Sequence, residues 1–131
     1  MTVVVDTSAL ICMLLDEADA PAVEQALAAD SDPVMSTATY VELMLVAEGR
    51  KGPAGALKVD EIMREAEITL VEHGTRAARL SVDGWRSFGK GRHPAALNLG
   101  DCYAYGLARS LGVSVLCVGT DFAQTDIATT P

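Results

Sequence analysis

Apolar positions along the chain fall into two patterns: short runs that are apolar at every residue, and longer stretches in which apolar residues recur every three or four positions. Thr2 to Val5 is a short β-branched run. Ser8 then stands where an N-cap belongs, ahead of the apolar segment Ala9 to Leu15, so the opening reads as strand, tight turn, helix. Pro21 starts a second helix carrying Ala22, Val23, Ala26 and Leu27 at helical spacing. Asp32-Pro33 ends it before a short strand, Val34 to Ser36. A third helix begins at Thr37 or Thr39 and runs to about Arg50; Gly52-Pro53 starts a fourth, whose Val59, Ile62, Met63 and Ala66 form one stripe. Ile68 to Glu72 reads as a strand. Gly74-Thr75 opens a fifth helix with Ala78, Val82, Trp85 and Phe88 on one face, and a loop from Gly89 to Leu97 follows. Asn98 caps a sixth helix, Leu99 to Leu111, which Gly112 closes before the unbroken apolar strand Ser114 to Val118.

Strands that alternate with helices and are apolar on both faces predict a sheet covered on each side. The expected fold class is α/β, a three-layer α/β/α sandwich with a central, mostly parallel sheet. At 131 residues with 50% apolar content the chain has material for one core, and one domain spanning 1–131 is expected. In such sheets ligands bind beyond the carboxyl ends of the strands. Asp6 directly follows the first strand and Asp121 follows the last, after Gly119 and Thr120, which places both carboxylates on that rim.

Two further acids sit in unusual places. Glu42 is flanked by Tyr40, Val41, Leu43, Met44, Leu45 and Val46, in a helix that reads as buried on most sides, where a carboxylate needs a partner. Asp101 lies in the first turn of a helix, three residues after its Asn cap, a placement that capping and the helix dipole explain without any function. If Asp6, Glu42, Asp101 and Asp121 converge, their mutual repulsion calls for a cation, since two unit charges about 4 Å apart interact by roughly 4 kcal/mol at an effective dielectric of 20. Carboxylate oxygens suit a hard ion, Mg²⁺ or Mn²⁺, which activates a water and neutralises a phosphodiester. Thr7 and Ser8 could hold a bound water, although Ser8 also serves as a plain cap; Asn98 could reach the site but is explained by capping, and Asp126 could add a carboxylate or sit in an exposed turn, with the turn favoured. His73 and His93 have no second histidine at ligand spacing, and no GxGxxG, P-loop, GxSxG or HExxH motif is present.

Composition changes this picture in three respects. The net charge of −8 argues against a nucleic-acid partner, yet residues 1 to 49 hold nine acids and no Lys or Arg, while Arg76, Arg79, Arg86, Lys90 and Arg92 crowd into Arg76 to His93 against Asp83 alone. Bound dications would reverse the local sign, leaving Lys90, Arg92 and Arg86 to hold flanking phosphates; the plainer reading of the basic band is a solvated helix face. Cys12, Cys102 and Cys117 are odd in number, lack any CxxC pair and read as reduced core residues. No apolar run approaches the roughly 18 to 20 residues that span a bilayer, and a soluble, cytoplasmic protein is expected.

Four pieces in order carry a resemblance: Val3-Val4-Val5-Asp6-Thr7-Ser8-Ala9; Ser36-Thr37-Ala38-Thr39-Tyr40-Val41-Glu42; the long stretch Gly91-Arg92-His93-Pro94-Ala95-Ala96-Leu97-Asn98-Leu99-Gly100-Asp101-Cys102-Tyr103-Ala104-Tyr105; and Gly119-Thr120-Asp121-Phe122. With these pieces the chain resembles a PIN-domain ribonuclease of the VapC type, the toxin of bacterial toxin–antitoxin pairs. The resemblance implies a metal-dependent endoribonuclease, with Asp6, Glu42, Asp101 and Asp121 on the family's acidic metal positions and Ser8 and Asn98 on polar positions beside them. It also implies a homodimer and a cognate antitoxin whose peptide blocks the acids with an Arg; the high apolar content fits, the helices carrying Leu14, Leu15, Leu43 and Leu45 offering either a patch for a partner or ordinary core. Thr120 stands where relatives often carry Asn or Asp, a departure that bears on the hydrogen bonding around Asp121. The competing expectations are a receiver- or phosphatase-like acidic pocket, for which Asp6-Thr7-Ser8 lacks the needed Asp-x-Asp and a Lys is missing after the last strand, and a non-catalytic binding module.

Overall fold

The computed structural model describes residues 2–131. Its elements run β1 (Thr2–Val5), α1 (Thr7–Leu14), α2 (Ala20–Ala29), β2 (Asp32–Ser36), α3 (Thr37–Lys51), α4 (Pro53–Glu65), β3 (Thr69–Val71), α5 (Thr75–Phe88), α6 (Leu99–Leu111), β4 (Ser114–Leu116) and β5 (Thr129–Thr130), with a short 3₁₀ turn at Phe122–Gln124. The sheet order is β3-β2-β1-β4-β5, and every pairing is parallel, with Val4 opposite both Val34 and Val115. The expected α/β sandwich is therefore present, with a parallel sheet flanked by helices.

Side-chain alternation along the strands divides the core in two. Val3, Val5, Met35 and Leu116 face one layer, where they pack with Leu10, Val23, Leu43 and Val59 from α1 to α4. Val4, Val34 and Val115 face the other, against Ala104, Leu107 and Ala108 of α6 and Ala77 of α5. Strands apolar at every position are what a sheet covered on both faces requires. The central strand β1 is buried along Val3 to Val5, so its end is the best-fixed point of the carboxyl rim.

Three local readings change. Asp6, not Ser8, caps α1: its backbone is extended (φ −86°, ψ 157°) and its Oδ2 accepts from the Ser8 N–H at 3.0 Å. Ser8 Oγ instead accepts the N–H of Val118 at 3.0 Å, tying the start of α1 to the segment leaving β4. The face of α5 is also rotated. Ala77, Ser81 and Gly84 are the buried positions, because glycine and serine let α5 and α6 approach closely, while Val82 and Trp85 are exposed at 45% and 42%. Finally β5, a two-residue edge strand of threonines, carries no apolar signal and is found only through its pairing with β4.

The candidate contact patch of leucines is divided as well. Leu43 is fully buried, Leu14 and Leu15 are half-buried, and Leu45 stands out at 71%. On α3 only Thr39, Leu43 and Ala47 are buried, so the helix around Glu42 is more open than its sequence suggests. Cys12, Cys102 and Cys117 are buried free thiols, as expected of core residues. No helix of the described residues is long and apolar enough to cross a membrane.

Candidate metal centre and its flanking grooves

The carboxyl rim receives one acid from each of four segments. Asp6 ends β1 and is 3% exposed; its Oδ1 is buried without a hydrogen-bond partner. Burial is the main reason its carboxyl is pushed from an ordinary 3.8 up to about 7. The Ser8 hydrogen bonds oppose the rise, and the charges of Asp101 and Glu42 add to it. Asp101 lies in the first turn of α6 in a capping box with Asn98: Asn98 Oδ1 accepts from the Asp101 N–H at 2.9 Å, and Asp101 Oδ2 accepts from the Asn98 N–H at 3.0 Å. Its carboxyl is raised to about 6, again by burial first and then by Asp121 and Glu42.

The capping role of Asp101 is thus real, yet it leaves Oδ1 unused and the charge coupled to those of Asp6, Glu42 and Asp121. Glu42 on α3 accepts a short hydrogen bond from the Thr7 hydroxyl at Oε1, which links α1 to α3 across the rim. Its carboxylate lies over the backbone of Gly100. A Cβ at position 100 would meet Oε1, Oε2 and Cδ of Glu42, so a side chain there would displace the end of Glu42. Asp121 is exposed and follows Gly119, whose φ of +101° turns the chain after β4 in a way that L side chains rarely adopt. Cys117 reports the same crowding: burial and the charges of Asp6, Asp101 and Asp121 push its thiol up to about 12, an inert state.

None of the four acids has an ion-pair partner among the described residues; Lys58 pairs with Glu61, Arg86 with Asp83 and Arg109 with Asp126. Nor, among the described residues, is any group of three His, Cys, Asp or Glu side chains drawn tightly enough together to hold an ion as it stands. Carboxylates that repel one another stand apart, and one of them keeps a buried oxygen with nothing to bond. Oxygen donors of this kind, beside a Cys117 thiol that is held protonated, fit a hard dication.

Two apolar grooves flank the acids. One, of about 580 Å³, runs between α3 and α6 along Val41, Glu42, Leu45, Leu99, Gly100 and Tyr103. The other, of about 660 Å³, lies between α5 and α6 with Trp85, Lys90, Asn98 and Tyr103 in its walls. Of the basic residues, Lys90 lines this second groove, Arg92 stacks over the Trp85 ring at 4.1 Å, and Arg86 pairs with Asp83 on an exposed helix face at 3.5 Å, away from both grooves. Asp126 accepts from the Tyr105 hydroxyl at 2.8 Å, which agrees with its reading as a structural turn residue.

A family model described as the PIN domain matches residues 3–128. The chain belongs to the PIN domain family. Among curated relatives, VapC ribonuclease Mb0640 of Mycobacterium bovis and ribonuclease VapC30 of Mycobacterium tuberculosis are each 47% identical over 126 residues, covering 96% of both chains. Ribonuclease VapC of Mycolicibacterium smegmatis is 42% identical over 125 residues, covering 95% of this chain and 97% of the relative. The structure also superposes on that of Mycobacterium tuberculosis VapC20, described as a sarcin-ricin loop cleaving toxin, with a TM-score of 0.77 at 15% identity over 98% of this chain and 99% of the other. A DNA-bound VapBC from Salmonella typhimurium gives 0.75 at 20% identity, covering 98% and 96%. These likenesses show that the PIN fold is shared, and they set the receiver and phosphatase readings aside.

Within this PIN domain, the four candidate acids have supports that the sequence does not mark. Thr7 was weighed only as a holder of water, whereas it donates to Glu42. Gly100 carried no signal of its own, because the clash it avoids comes from a side chain 58 positions away in sequence. Two serines and a histidine form a chain that ends in the wall of the second groove, which His73 and Ser81 line: Ser36 Oγ lies 2.7 Å from His73 Nδ1, and His73 Nε2 lies 3.1 Å from Ser81 Oγ.

Proposed function

We propose that this protein is a metal-dependent endoribonuclease acting as the toxin of a toxin–antitoxin system, with one nuclease domain spanning residues 1–131. The VapC names of its relatives support the activity. The observation that carries the site is the buried, unpartnered Oδ1 of Asp6 beside three further carboxylates with no cation of the protein's own. Asp6, Glu42, Asp101 and Asp121 are the residues that would hold Mg²⁺ or Mn²⁺, which when bound supplies a water acidified for attack and charge neutralisation at a phosphodiester.

The rest is done by the chain itself. The Thr7 hydroxyl fixes Glu42, and the Asn98 capping box fixes Asp101 while leaving one of its oxygens free. Ser8 locks the β4 exit on which Asp121 depends. Burial and mutual repulsion push the carboxyls of Asp6 and Asp101 up toward neutrality when no ion is bound, and a dication among them would favour their charged, ligating forms. Lys90 and Arg92 would bind flanking phosphates, and Arg86 is the weaker candidate because Asp83 already neutralises it.

Partners belong to the same reading. Solved structures of this fold include one described as a toxin–antitoxin complex from Klebsiella pneumoniae (TM-score 0.70, 19% identity), which supports a cognate antitoxin here. The groove along Val41, Leu45 and Leu99 ends at Glu42, so an apolar peptide bearing an Arg would fill it and neutralise the acids. A homodimer in the cytoplasm completes the proposal. Purified protein incubated with total RNA, followed by mapping of new ends, tests it: ends that appear with Mg²⁺ and vanish with chelator are expected, and ends that are absent, or indifferent to metal, would overturn it.

A further inference from the structure

The groove between α5 and α6 carries polar groups that the acidic centre does not use. Its walls include Val82, Trp85, Lys90, Leu97, Asn98 and Tyr103 around about 660 Å³. Among the described residues the Lys90 ammonium, the Asn98 side-chain amide nitrogen and the Tyr103 hydroxyl have no hydrogen-bond or ion-pair partner. The aromatic walls are held in place. Tyr103 packs edge-on to His73 at 5.5 Å. His73 is itself pinned at both ring nitrogens by Ser36 and Ser81, and Ser81 donates its own hydrogen to Ala77 O, so Nε2 carries the imidazole proton. Trp85, the chain's single tryptophan, is 42% exposed and carries the Arg92 guanidinium over its ring at 4.1 Å.

An occupant of this groove must have apolar faces for aromatic walls, polar edges for an amide and a phenol, and negative charge near Lys90 and Arg92. It also lies beside the acids, because Asn98 in the groove wall forms the capping box with Asp101. An apolar peptide side chain meets the first demand alone, and a basic peptide would be repelled by the last. We propose that this groove is a nucleobase subsite: the base adjoining the scissile phosphate packs on Trp85 and Tyr103, its edge meets the Asn98 amide and the Tyr103 hydroxyl, and Lys90 and Arg92 take the next phosphate. The inference rests on the ribonuclease reading and deepens it, because a subsite of this kind makes the cut selective for the base beside it.

The lone tryptophan supplies a readout independent of cleavage. In Asp6→Asn protein, Trp85 fluorescence is expected to be quenched saturably by a single-stranded oligoribonucleotide and not by an abasic oligomer of the same length. In otherwise wild-type protein, Trp85→Ala and Tyr103→Ala raise KM for a short RNA spanning a mapped cut site on the order of tenfold and broaden the spectrum of cut sites, while Tyr103→Phe changes base preference with a smaller rise in KM. Equal quenching by the abasic oligomer overturns the subsite. So does an unchanged cut-site spectrum and KM in folded variants, including variants that lose only inhibition by a protein partner. A wild type that cuts no RNA removes the ribonuclease reading instead, so the two failures are told apart.

Discussion

Four acids at the sheet's carboxyl rim stand without a cation among the described residues, whereas several acids elsewhere on the surface are held by a cation or a hydroxyl. Asp126 is bonded by Tyr105 and paired with Arg109, Asp60 accepts from Tyr40 at 2.9 Å, and Asp83 and Glu61 each face a cation one helical turn away. Asp6, Glu42, Asp101 and Asp121 have no such cation, and the most buried of them keeps an oxygen unbonded. A chain able to pair its carboxylates elsewhere leaves them unpaired here, at a standing cost in stability. Burial of an unpaired charge persists only where something else satisfies it. The difference teaches that net charge misleads for this protein: what matters to an anionic substrate is which acids lack partners, not how many there are.

Replacing Asp6 by Asn should separate function from stability most sharply. Metal-dependent RNA cleavage is expected to fall by at least about 100-fold, since removing even an outer partner of a metal ligand costs about 10–100-fold in affinity or activity. Stability without metal should move the other way. The folded form keeps protons on Asp6 up to about pH 7 and on Asp101 up to about pH 6, whereas the unfolded chain releases them near 3.8. The native state therefore binds more protons than the unfolded state between about pH 4 and 7, so the contribution of these groups to stability is lost as pH rises through that window. Urea denaturation in chelator from pH 5 to 8 should show wild type losing stability relative to Asp6→Asn as pH rises, and Mg²⁺ should reverse the loss at pH 8. A wild type that gains on the variant with rising pH would break the comparison.

A smaller effect is expected at Gly100. Gly100 is the second residue of α6, where alanine gains less than the about 1 kcal/mol of a helix interior, and the atoms that alanine would meet are the movable end of Glu42, so neither effect on stability is large. Melting should shift little. Cleavage should fall on the order of tenfold, because the Glu42 carboxylate must leave the position in which Thr7 holds it. Circular dichroism melts beside Mg²⁺-dependent rates check this, and a variant that melts early while keeping its rate would show that Gly100 serves packing alone.

How much of this was legible in the sequence depended on how local the cause was. Helix starts at Pro21, Gly52-Pro53 and Asn98, and the close at Gly112, were set by their own residues and fell where expected. The end of β1 at Asp6 was equally plain, because Val3, Val4 and Val5 can only be a buried strand. What depended on a distant partner could not be seen. The inward face of α5 was misread because Gly84 and Ser81 are buried by the approach of Tyr105 and Gly106 on α6, which leaves the more apolar Val82 and Trp85 outside. Ser8 has the residue type of a cap, but α1 starts one residue before it at Thr7 with Asp6 accepting the Ser8 N–H, and the Ser8 hydroxyl accepts from Val118 instead. β5 was missed since two threonines acquire strand geometry only by pairing with β4.

The weakest expected effect lies on the other side of the comparison. Asp126→Asn keeps an acceptor for the Tyr105 hydroxyl and removes only the charge facing Arg109, a pair at 3.6 Å with both side chains nearly half exposed. Exposed pairs contribute about 0–1 kcal/mol and are screened by salt, so the variant should lose less than about 1 kcal/mol of stability in urea. Cleavage should stay within about twofold of wild type, because the bonds of Asp126 point to α6 side chains and not to the rim. Asp126 lies five residues beyond Asp121 and carries the same charge, which makes it the fairest control that the chain offers. If its loss cost as much activity as the loss of Asp6, proximity to strand ends rather than the absence of a partner would be what marks a functional acid, and the distinction between the two groups of carboxylates would fail.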